Sequence, residues 1–152
     1  MLRDELGDFS SIVCVRAIIT GMEDILGEQA TAIALTNAGR IRGREVAGDL
    51  EGGDDAALDR LARTLARALG PEGTRLCLVD ALERDGEELV ARTRETICSA
   101  GEPAGSERRC TYTLGVVWGA LERLLGERLR GRHTESVLRG ATHDVFRFTR
   151  LG

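Results

Sequence analysis

The stretch from Cys110 to Phe148 constrains the fold of this chain more than any other part of the sequence. It begins with CTYTLGVVWGALERLLG, an apolar helix that carries a Gly-x-x-x-Gly step and ends at Gly126. The apolar face of this helix consists of Leu114, Val117, Trp118, Leu121 and Leu125. RGRHTESVLRGATHDVFRF follows and reads as two strands around a glycine turn. We expect this helix to pack on the sheet to which the two strands belong.

Two more helices are predicted upstream. Apolar residues recur at helical spacing from Phe9 to Leu26, where Gly27 stops the pattern. The second helix runs from Ala56 to Leu69, capped by Asp54 or Asp55, and is amphipathic along its length. The apolar surface of the first helix is too broad for a solvated position. It therefore belongs under other elements or in a dimer interface.

Turn residues and period-two patterns predict the strands. Residues Ala30 to Val46 read as a hairpin, because ATAIALT and RIRGREV flank Asn37-Ala38-Gly39. Asp85-Gly86, a favoured tight-turn dipeptide, joins the next two strands. Outside the hairpin, the predicted strands are Leu76–Leu82, Glu88–Ile97, Arg128–Val137 and Val145–Leu151.

These elements predict a single α+β domain over residues 1–152, an antiparallel sheet covered by three helices. A chain of 152 residues with 42% apolar composition buries enough surface to fold without disulfides. The loops at residues 48–55 and 99–109 are too short to mark a domain boundary.

Charge and hydropathy exclude several classes of protein. The net charge of −4 and a pI near 5.3 provide no basic field for nucleic acid. No stretch has the organisation of a signal peptide, and none approaches the roughly 18 apolar residues of a spanning helix. We expect a cytoplasmic protein, with a peripheral position at a membrane left open, whose four cysteines are reduced.

The segment at about residues 75–150 resembles the C-terminal core of the 4-vinyl reductase domain family, small modules associated with hydrocarbon binding. The positions that match the family pattern are Cys110, Tyr112, Gly115, Gly119, Glu135, Gly140 and Phe146. Cys98, at the end of a strand, also fits a cysteine that is common in the family. Ser136 and Asp144 stand where the family has two late cysteines, which puts any metal site of that type in doubt.

The resemblance implies a fold similar to the core subunits of the TRAPP trafficking complex. That fold is a helix-covered antiparallel sheet with an apolar cavity, often dimeric. The family connection makes a chlorophyll or another tetrapyrrole precursor the leading ligand, and a photosystem or a pigment-synthesis enzyme a possible partner. The resemblance fits a carrier or chaperone for a pigment precursor at least as well as the vinyl reductase activity after which the family is named.

Residues that could surround a hydrophobic ligand concentrate in the same terminal segment. They are Tyr112, Leu114, Trp118, His133, Phe146 and Phe148. Large rings among small residues can leave a dry cavity for a flat or chain-like guest, whereas the alternative is a fully packed core. For a magnesium tetrapyrrole, His133 or His143 is the natural axial ligand, with a solvated surface histidine as the ordinary alternative.

A metal site would draw on Cys98, Cys110, His133 and His143. None of them forms a tight pair such as C-x-x-C, so we expect neither zinc nor an iron–sulfur cluster. A disulfide between Cys98 and Cys110 across the intervening loop is an open alternative.

Catalysis is not expected either, because no nucleophile elbow, zinc-protease, Walker A or dinucleotide-binding motif is present.

The pair Gly115 and Gly119 allows close backbone approach, either to another helix of the domain or across a two-fold dimer. The sequence as a whole favours a dimeric binding module or carrier for a hydrophobic small molecule, with no catalytic residue assigned. A protein–protein scaffold or sensor without a ligand is one alternative. A tetrapyrrole vinyl reductase, which would need a bound reductant, is another.

Overall fold

The computed structural model describes residues 2–9 and 11–152 and contains four α-helices and one four-stranded sheet. The helices are α1 (Ile12–Leu26), α2 (Glu28–Ala47), α3 (Asp55–Leu69) and α4 (Tyr112–Leu125). The strands are β1 (Leu78–Asp85), β2 (Glu88–Arg94), β3 (Leu129–Glu135) and β4 (Asp144–Arg150), and one 3-10 turn (Val137–Arg139) lies between β3 and β4. The α+β class with an antiparallel sheet is confirmed.

The sheet has the order β1-β2-β4-β3, and each neighbouring pair is antiparallel. The β1–β2 hairpin turns at Gly86, whose φ of 61° is the left-handed conformation that glycine adopts without strain. β4 lies between β2 and β3, and its residue Phe146 is paired with Ala91 on one side and with His133 on the other.

The predicted hairpin over Ala30–Val46 is wrong, because this segment forms most of helix α2. The face that α2 buries is made of small residues, namely Thr31, Gly39, Gly43 and Ala47. Small residues carry almost no hydropathy signal, so the helical period of the buried face was invisible. The domain consequently has four helices and one fewer pair of strands than the sequence predicted.

Helices α2 and α4 pack with their backbones in contact. A Cβ atom added at Gly43 would lie 2.0 Å from the carbonyl oxygen of Val116, and one at Gly119 would lie 2.0 Å from the carbonyl oxygen of Arg40. Gly39 and Gly115 are equally restricted, with added Cβ atoms 2.2 and 2.3 Å from backbone oxygens of the opposite helix. Two Gly-x-x-x-Gly steps therefore face each other, and Gly115 and Gly119 pack inside the domain.

The apolar core lies between the sheet and the helix layer formed by α3 and α4. Helix α3 starts where the Asp54 side chain accepts a hydrogen bond from the Ala57 amide, 2.8 Å away. Its buried leucines recur at helical spacing and face the sheet, mainly β1: Leu58, Leu61, Leu65 and Leu69. From the sheet, Phe146 and Phe148 point into the same core and are 0 and 1% exposed.

The opposite face of the sheet is covered by ion pairs instead of a helix. Arg147 donates to Asp85 at 2.8 Å and to Glu88 at 3.0 Å, and Arg132 donates to Glu88 at 2.8 Å. Val90, paired with Arg147 across the strands, is nevertheless 0% exposed. Long arginine stems can cover such an apolar position while their guanidinium groups stay in water.

Helix α1 is the most loosely attached element. Its fifteen residues all lie in the described part of the chain, and none is buried. Two ion pairs attach it to the loop before α4: Arg16–Glu102 at 3.1 Å and Glu23–Arg108 at 2.7 Å. Among the helices described by the structure, none is both long and apolar enough to cross a membrane.

Candidate functional site

A buried polar cluster lies where the start of β4 meets β3 and the loop before α4. We call it the Asp144 cluster, and it consists of Thr96, Ser99, Cys110, His133 and Asp144. Asp144 is 0% exposed and the side chain of His133 is 2% exposed. Buried charged groups need partners, since an unpaired carboxylate in the interior is costly.

Each oxygen of the Asp144 carboxylate is hydrogen-bonded. Oδ2 accepts from Thr96 Oγ1 at 2.9 Å and from Ser99 Oγ at 3.1 Å. Oδ1 lies 3.2 Å from His133 Nε2. Burial by itself raises the pKa of Asp144, but the hydrogen bonds from His133 and Thr96 outweigh it and leave that pKa below its ordinary value.

The surroundings of His133 indicate its tautomer. The backbone N–H of Cys110 donates to His133 Nδ1 at 3.1 Å, so Nδ1 is the unprotonated nitrogen. Nε2 then carries the proton and donates to Asp144. The imidazole thereby ties the start of α4 to the start of β4. The sequence left a solvated surface histidine as the ordinary alternative for His133, whereas the structure buries its imidazole between the exposed residues Arg132 and Thr134.

Among the described residues, two members of the predicted metal set, Cys110 and His133, lie with Asp144 in a group that could hold an ion. One ligand atom each from Cys110, His133 and Asp144 lies within 4.8 Å of the others, which is the spacing a divalent ion could bridge. Hydrogen bonds already occupy both ring nitrogens of His133, so a metal would have to displace one of them. In the structure these residues form a hydrogen-bonded cluster that joins the loop before α4 to β3 and β4. His143 lies elsewhere, 3.0 Å from Asp80.

Cys98 and Cys110 are both buried near the start of α4. Cys98 Sγ donates to Thr113 Oγ1 at 3.9 Å, and its thiol also interacts with the Cys110 side chain. The Cys110 hydrogen bond is the largest influence on Cys98 and, against the effect of burial, lowers its pKa. The same hydrogen bond, together with burial, raises the pKa of Cys110. All four cysteines, which fall within the described residues, are free thiols.

Four of the predicted ligand residues meet between α4, β3 and β4. The Trp118 and Phe148 rings pack edge-on with centroids 6.3 Å apart, and the His133 and Phe146 rings do so at 5.4 Å. Leu114, a fifth predicted residue, belongs to the same apolar core and is 8% exposed. Since a void that admits water exposes the side chains lining it, the near-zero exposure of Phe146 and Phe148 means that packing fills the space around them.

Trp118 contacts Arg40 of α2 and polar groups of α4 and β3, and Tyr112 lies beside α2. The Trp118 indole N–H donates to Glu122 and to the carbonyl of Leu129, both at 3.1 Å. The Arg40 guanidinium lies over the indole, 4.8 Å from its centroid, and also binds Glu122 at 2.7 Å. Tyr112 is half-buried beside α2, and this burial raises the pKa of its hydroxyl.

The structure also contains a surface cleft that the sequence did not indicate. It has a volume of about 640 Å³ and lies between α2 and the loop before α4, with Gln29, Leu35, Arg109 and Thr111 among its walls. The hairpin interpretation concealed it, because the cleft depends on α2 being a helix. A smaller pocket of about 20 Å³ opens beside Cys98 under helix α1.

Comparison with solved structures identifies the fold. The phenol-responsive sensory domain of the transcription activator PoxR, solved with phenol, is 14% identical and superposes with a TM-score of 0.68 over 95% of this chain and 76% of its own. Trafficking protein particle complex subunit 3 from Naegleria fowleri, solved with covalently bound palmitic acid, is 17% identical with a TM-score of 0.55 and 93% coverage of both chains.

A vinyl-4-reductase family protein from Methanocaldococcus jannaschii is 11% identical with a TM-score of 0.56, covering 97% of this chain and 86% of its own. No protein-family model and no curated protein sequence matches the chain. The fold predicted from the segment Cys110 to Phe148, that of vinyl-reductase and trafficking-complex proteins, is thereby confirmed. At these identities the likeness establishes the fold alone.

Proposed function

We propose that this chain is a binding or sensor module for a small hydrophobic molecule. The observation that carries the proposal is the likeness to the phenol-responsive sensory domain across 95% of the chain, at a TM-score of 0.68. The trafficking subunit with its palmitic acid supports the same class of function, because it too holds an apolar molecule on this fold. Since one fold can serve many functions, the proposal also needs a place in this chain where such a molecule could bind.

The guest would lie in the apolar layer that Phe146, Phe148 and Trp118 share with helix α3. This layer is filled, so a guest must move side chains or lift α3 from the sheet. Helix α3 is suited to such a movement, because it is a single amphipathic helix at the edge of the layer, in contact chiefly with β1. Small guests require the smallest displacement.

The energetics also favour a compact guest. A single aromatic ring buries roughly 200 Å². At about 25 cal/mol per Å² this gives about 5 kcal/mol before the costs of association. A free energy of about 5 kcal/mol corresponds to a Kd of about 0.2 mM, and the costs of association move it towards millimolar, which suits a reversible guest and not a resident cofactor.

A chlorophyll or its precursor, delivered by a cytoplasmic carrier to a photosystem or a pigment enzyme, is the larger guest to test. Its axial ligand would have to come from His133 or His143. Both ring nitrogens of His133 are hydrogen-bonded within the Asp144 cluster. His143 is bound through Nε2 to Asp80 and through Nδ1 to Thr142. The tetrapyrrole is therefore the second choice behind a monocyclic aromatic or short-chain guest.

The single tryptophan gives a direct test. Titration with phenol, palmitate and zinc protoporphyrin would be followed by Trp118 fluorescence and by the midpoint of thermal unfolding. We expect phenol to change the fluorescence and to raise the midpoint. Trp118→Phe is the matched control, since it keeps a ring beside Phe148 and removes the signal while the thermal shift should persist. If no compound in the series changes either signal, the scaffold alternative replaces this proposal.

We further propose that the module is a homodimer joined through the outer faces of α1 and α2. These faces expose large apolar side chains that a monomer would leave in water: Val13, Ile18, Ile25, Ile33 and Ile41. On α2 they lie opposite the glycines that contact α4. A helix face of this kind can meet its own copy around a two-fold axis.

Light scattering after size exclusion tests the dimer. Ile33, which is 66% exposed, would be changed to arginine, and the variant is expected to elute as a monomer. Leu151→Arg is the control, because Leu151 is 49% exposed and follows β4, away from both helices. A wild-type protein that is monomeric at micromolar concentration would remove the proposal.

A further inference from the structure

A pocket of about 250 Å³ lies at the carboxyl end of helix α3. It shares no wall residue with the Asp144 cluster or with the cleft beside α2. Pockets for drug-sized molecules begin at about 300 Å³, so this one suits a smaller molecule. Its walls come from the end of α3, the loop before β1, the start of β1 and the residue after β2: Gly70, Pro71, Arg75, Cys77, Leu78 and Glu95.

Two wall residues of this pocket have a strained backbone. Among the described residues, Arg75 and Glu95 are the two that are not glycine and have a positive φ, of 55° and 51°. Residues with a Cβ atom rarely adopt this left-handed conformation, and those that do cluster at binding and active sites. The loop that carries Arg75 is held by hydrogen bonds from the amides of Arg75 and Leu76 to the carbonyls of Gly70 and Leu69, 3.2 and 2.7 Å away. The fold therefore fixes two side chains of opposite charge at one pocket.

The two charges at the pocket are not neutralised within the protein. Neither Arg75 nor Glu95 forms an ion pair with another residue of the part of the chain that the structure describes. Arg75 lies against the Phe9 ring, with its guanidinium carbon 4.5 Å from the ring centroid. This contact covers one face of the guanidinium and leaves its N–H groups available to an acceptor. Arg94, which precedes Glu95 in the chain, is bound to Asp80 at 2.5 Å.

The remaining walls of the pocket are apolar. Cys77 belongs to the apolar core and is 4% exposed, and Leu78 and Pro71 also line the pocket. Burial raises the pKa of the Cys77 thiol to about 12, so this side chain is neutral and behaves as a small hydrophobic group. A molecule in the pocket would meet a cation, a carboxylate and an apolar surface.

We propose that this pocket binds a small zwitterion, an α-amino acid with an apolar side chain. Its carboxylate pairs with Arg75, its ammonium group pairs with Glu95, and its side chain contacts Cys77 and Leu78. A simple acid would meet the like charge of Glu95, and a simple amine would meet the like charge of Arg75, so the two walls together select a molecule that carries both charges. The site does not depend on the guest proposed above, because it uses no aromatic residue of the apolar layer.

Amide NMR shifts of the isotopically labelled wild-type protein test the site, with L-leucine as the probe. Leucinamide lacks the carboxylate and isocaproate lacks the ammonium group, while both keep the apolar side chain. We expect saturable shifts of the Cys77, Leu78 and Glu95 amides with L-leucine, and binding weaker by about tenfold for each of the other compounds. Equal binding of leucine and isocaproate, or no saturable shift at these three amides, would overturn the proposal.

Variants of the two charged walls separate binding from folding. Arg75→Gln and Glu95→Gln should each weaken leucine binding by about tenfold, whereas Arg63→Gln, at an exposed position of α3, should leave it unchanged. Glycine adopts a positive φ without strain, so Glu95→Gly should unfold at a higher temperature than the wild type and yet bind leucine as weakly as Glu95→Gln. Leucine binding that stays at the wild-type level in Arg75→Gln and in Glu95→Gly would mean that these side chains do not hold the molecule, and the proposal would fail.

Discussion

The contact between helices α2 and α4 depends on single glycines. In Gly43→Ala the new Cβ would lie 2.0 Å from the carbonyl oxygen of Val116, so the helices must separate. We expect the free energy of unfolding to fall by about 3 kcal/mol, at the upper end of the range for overpacking. Gly21→Ala in α1 is the control, since nothing lies within 4 Å of its added Cβ. That change should be neutral or stabilising by up to about 1 kcal/mol, measured by urea unfolding.

The lowered pKa of Asp144 links the buried cluster to acid stability. A carboxyl whose pKa is lower in the folded chain stabilises the fold above its unfolded pKa, which is near the ordinary 3.8. This contribution is lost as the pH falls further, through the folded pKa. We expect Asp144→Asn to cost about 3 kcal/mol at pH 7, because it leaves buried partners of the carboxylate imperfectly satisfied.

The difference in unfolding free energy between wild type and Asp144→Asn should shrink as the pH falls below 4. Urea unfolding across the acid range measures it, and the subtraction removes the contribution of the other carboxylates. Asp59→Asn, at an exposed position of α3, is the control, and it should change the free energy of unfolding little at pH 7. A gap between wild type and Asp144→Asn that is constant with pH would contradict the linkage.

The composition of the cluster could be predicted only in part. The sequence singled out Cys110 and His133 by residue type, and the structure brings them together beside Asp144. Asp144 was interpreted as the replacement of a family cysteine, so its role as the centre of the hydrogen bonds was missed. His143 was grouped with His133 by chemistry, yet it follows a turn that points it to Asp80. Residue type identifies candidates, whereas strand register decides which of them meet.

Helices α3 and α1 both have a side-chain N-cap, but only α3 contributes buried residues to the core. Asp54 accepts from the Ala57 amide at 2.8 Å, and α3 buries four leucines on the sheet. Asp54→Ala should therefore lower the free energy of unfolding by about 1 kcal/mol. Ser11 caps α1 at 3.3 Å, but α1 buries none of its described residues, so Ser11→Ala should change global stability little. Chemical denaturation of both variants measures this difference. Equal losses of unfolding free energy in the two variants would contradict the prediction.

Helix α2 shows why one element was predicted wrongly while α3 and α4 were predicted nearly to their ends. The buried faces of α3 and α4 contain leucine and valine, and these reveal a helical period. The buried face of α2 is glycine, alanine and threonine, while its isoleucines, Ile33 and Ile41, point away from the domain. Alternating β-branched residues around Asn37-Ala38-Gly39 then imitated a hairpin. The Gly-x-x-x-Gly step of Gly39 and Gly43, which has the same spacing as the step in α4, is the sequence signal that indicates the packing of α2 on α4.

At the scale of the whole molecule, the two faces of the sheet are protected from water by different means. Helices α3 and α4 cover one face with apolar side chains, and arginine–carboxylate pairs cover the other. Helix α2 packs chiefly on α4 and directs its isoleucines outward. The outermost layer, α1 with the outer face of α2, is the part of the monomer that lacks an apolar partner. This arrangement explains why the most apolar helix of the sequence is also the least buried.

Thermal unfolding tests whether a second copy covers that layer. If folded dimer unfolds to separate chains, the midpoint must rise with protein concentration, since association favours the folded state by mass action. We expect this rise for the wild-type chain over a hundredfold range of concentration. Ile33→Arg should unfold at a lower midpoint that does not depend on concentration, whereas Leu151→Arg should follow the wild type. A wild-type midpoint that stays constant, equal to that of Ile33→Arg, would mean that the exposed isoleucines are not covered by a second copy of this chain.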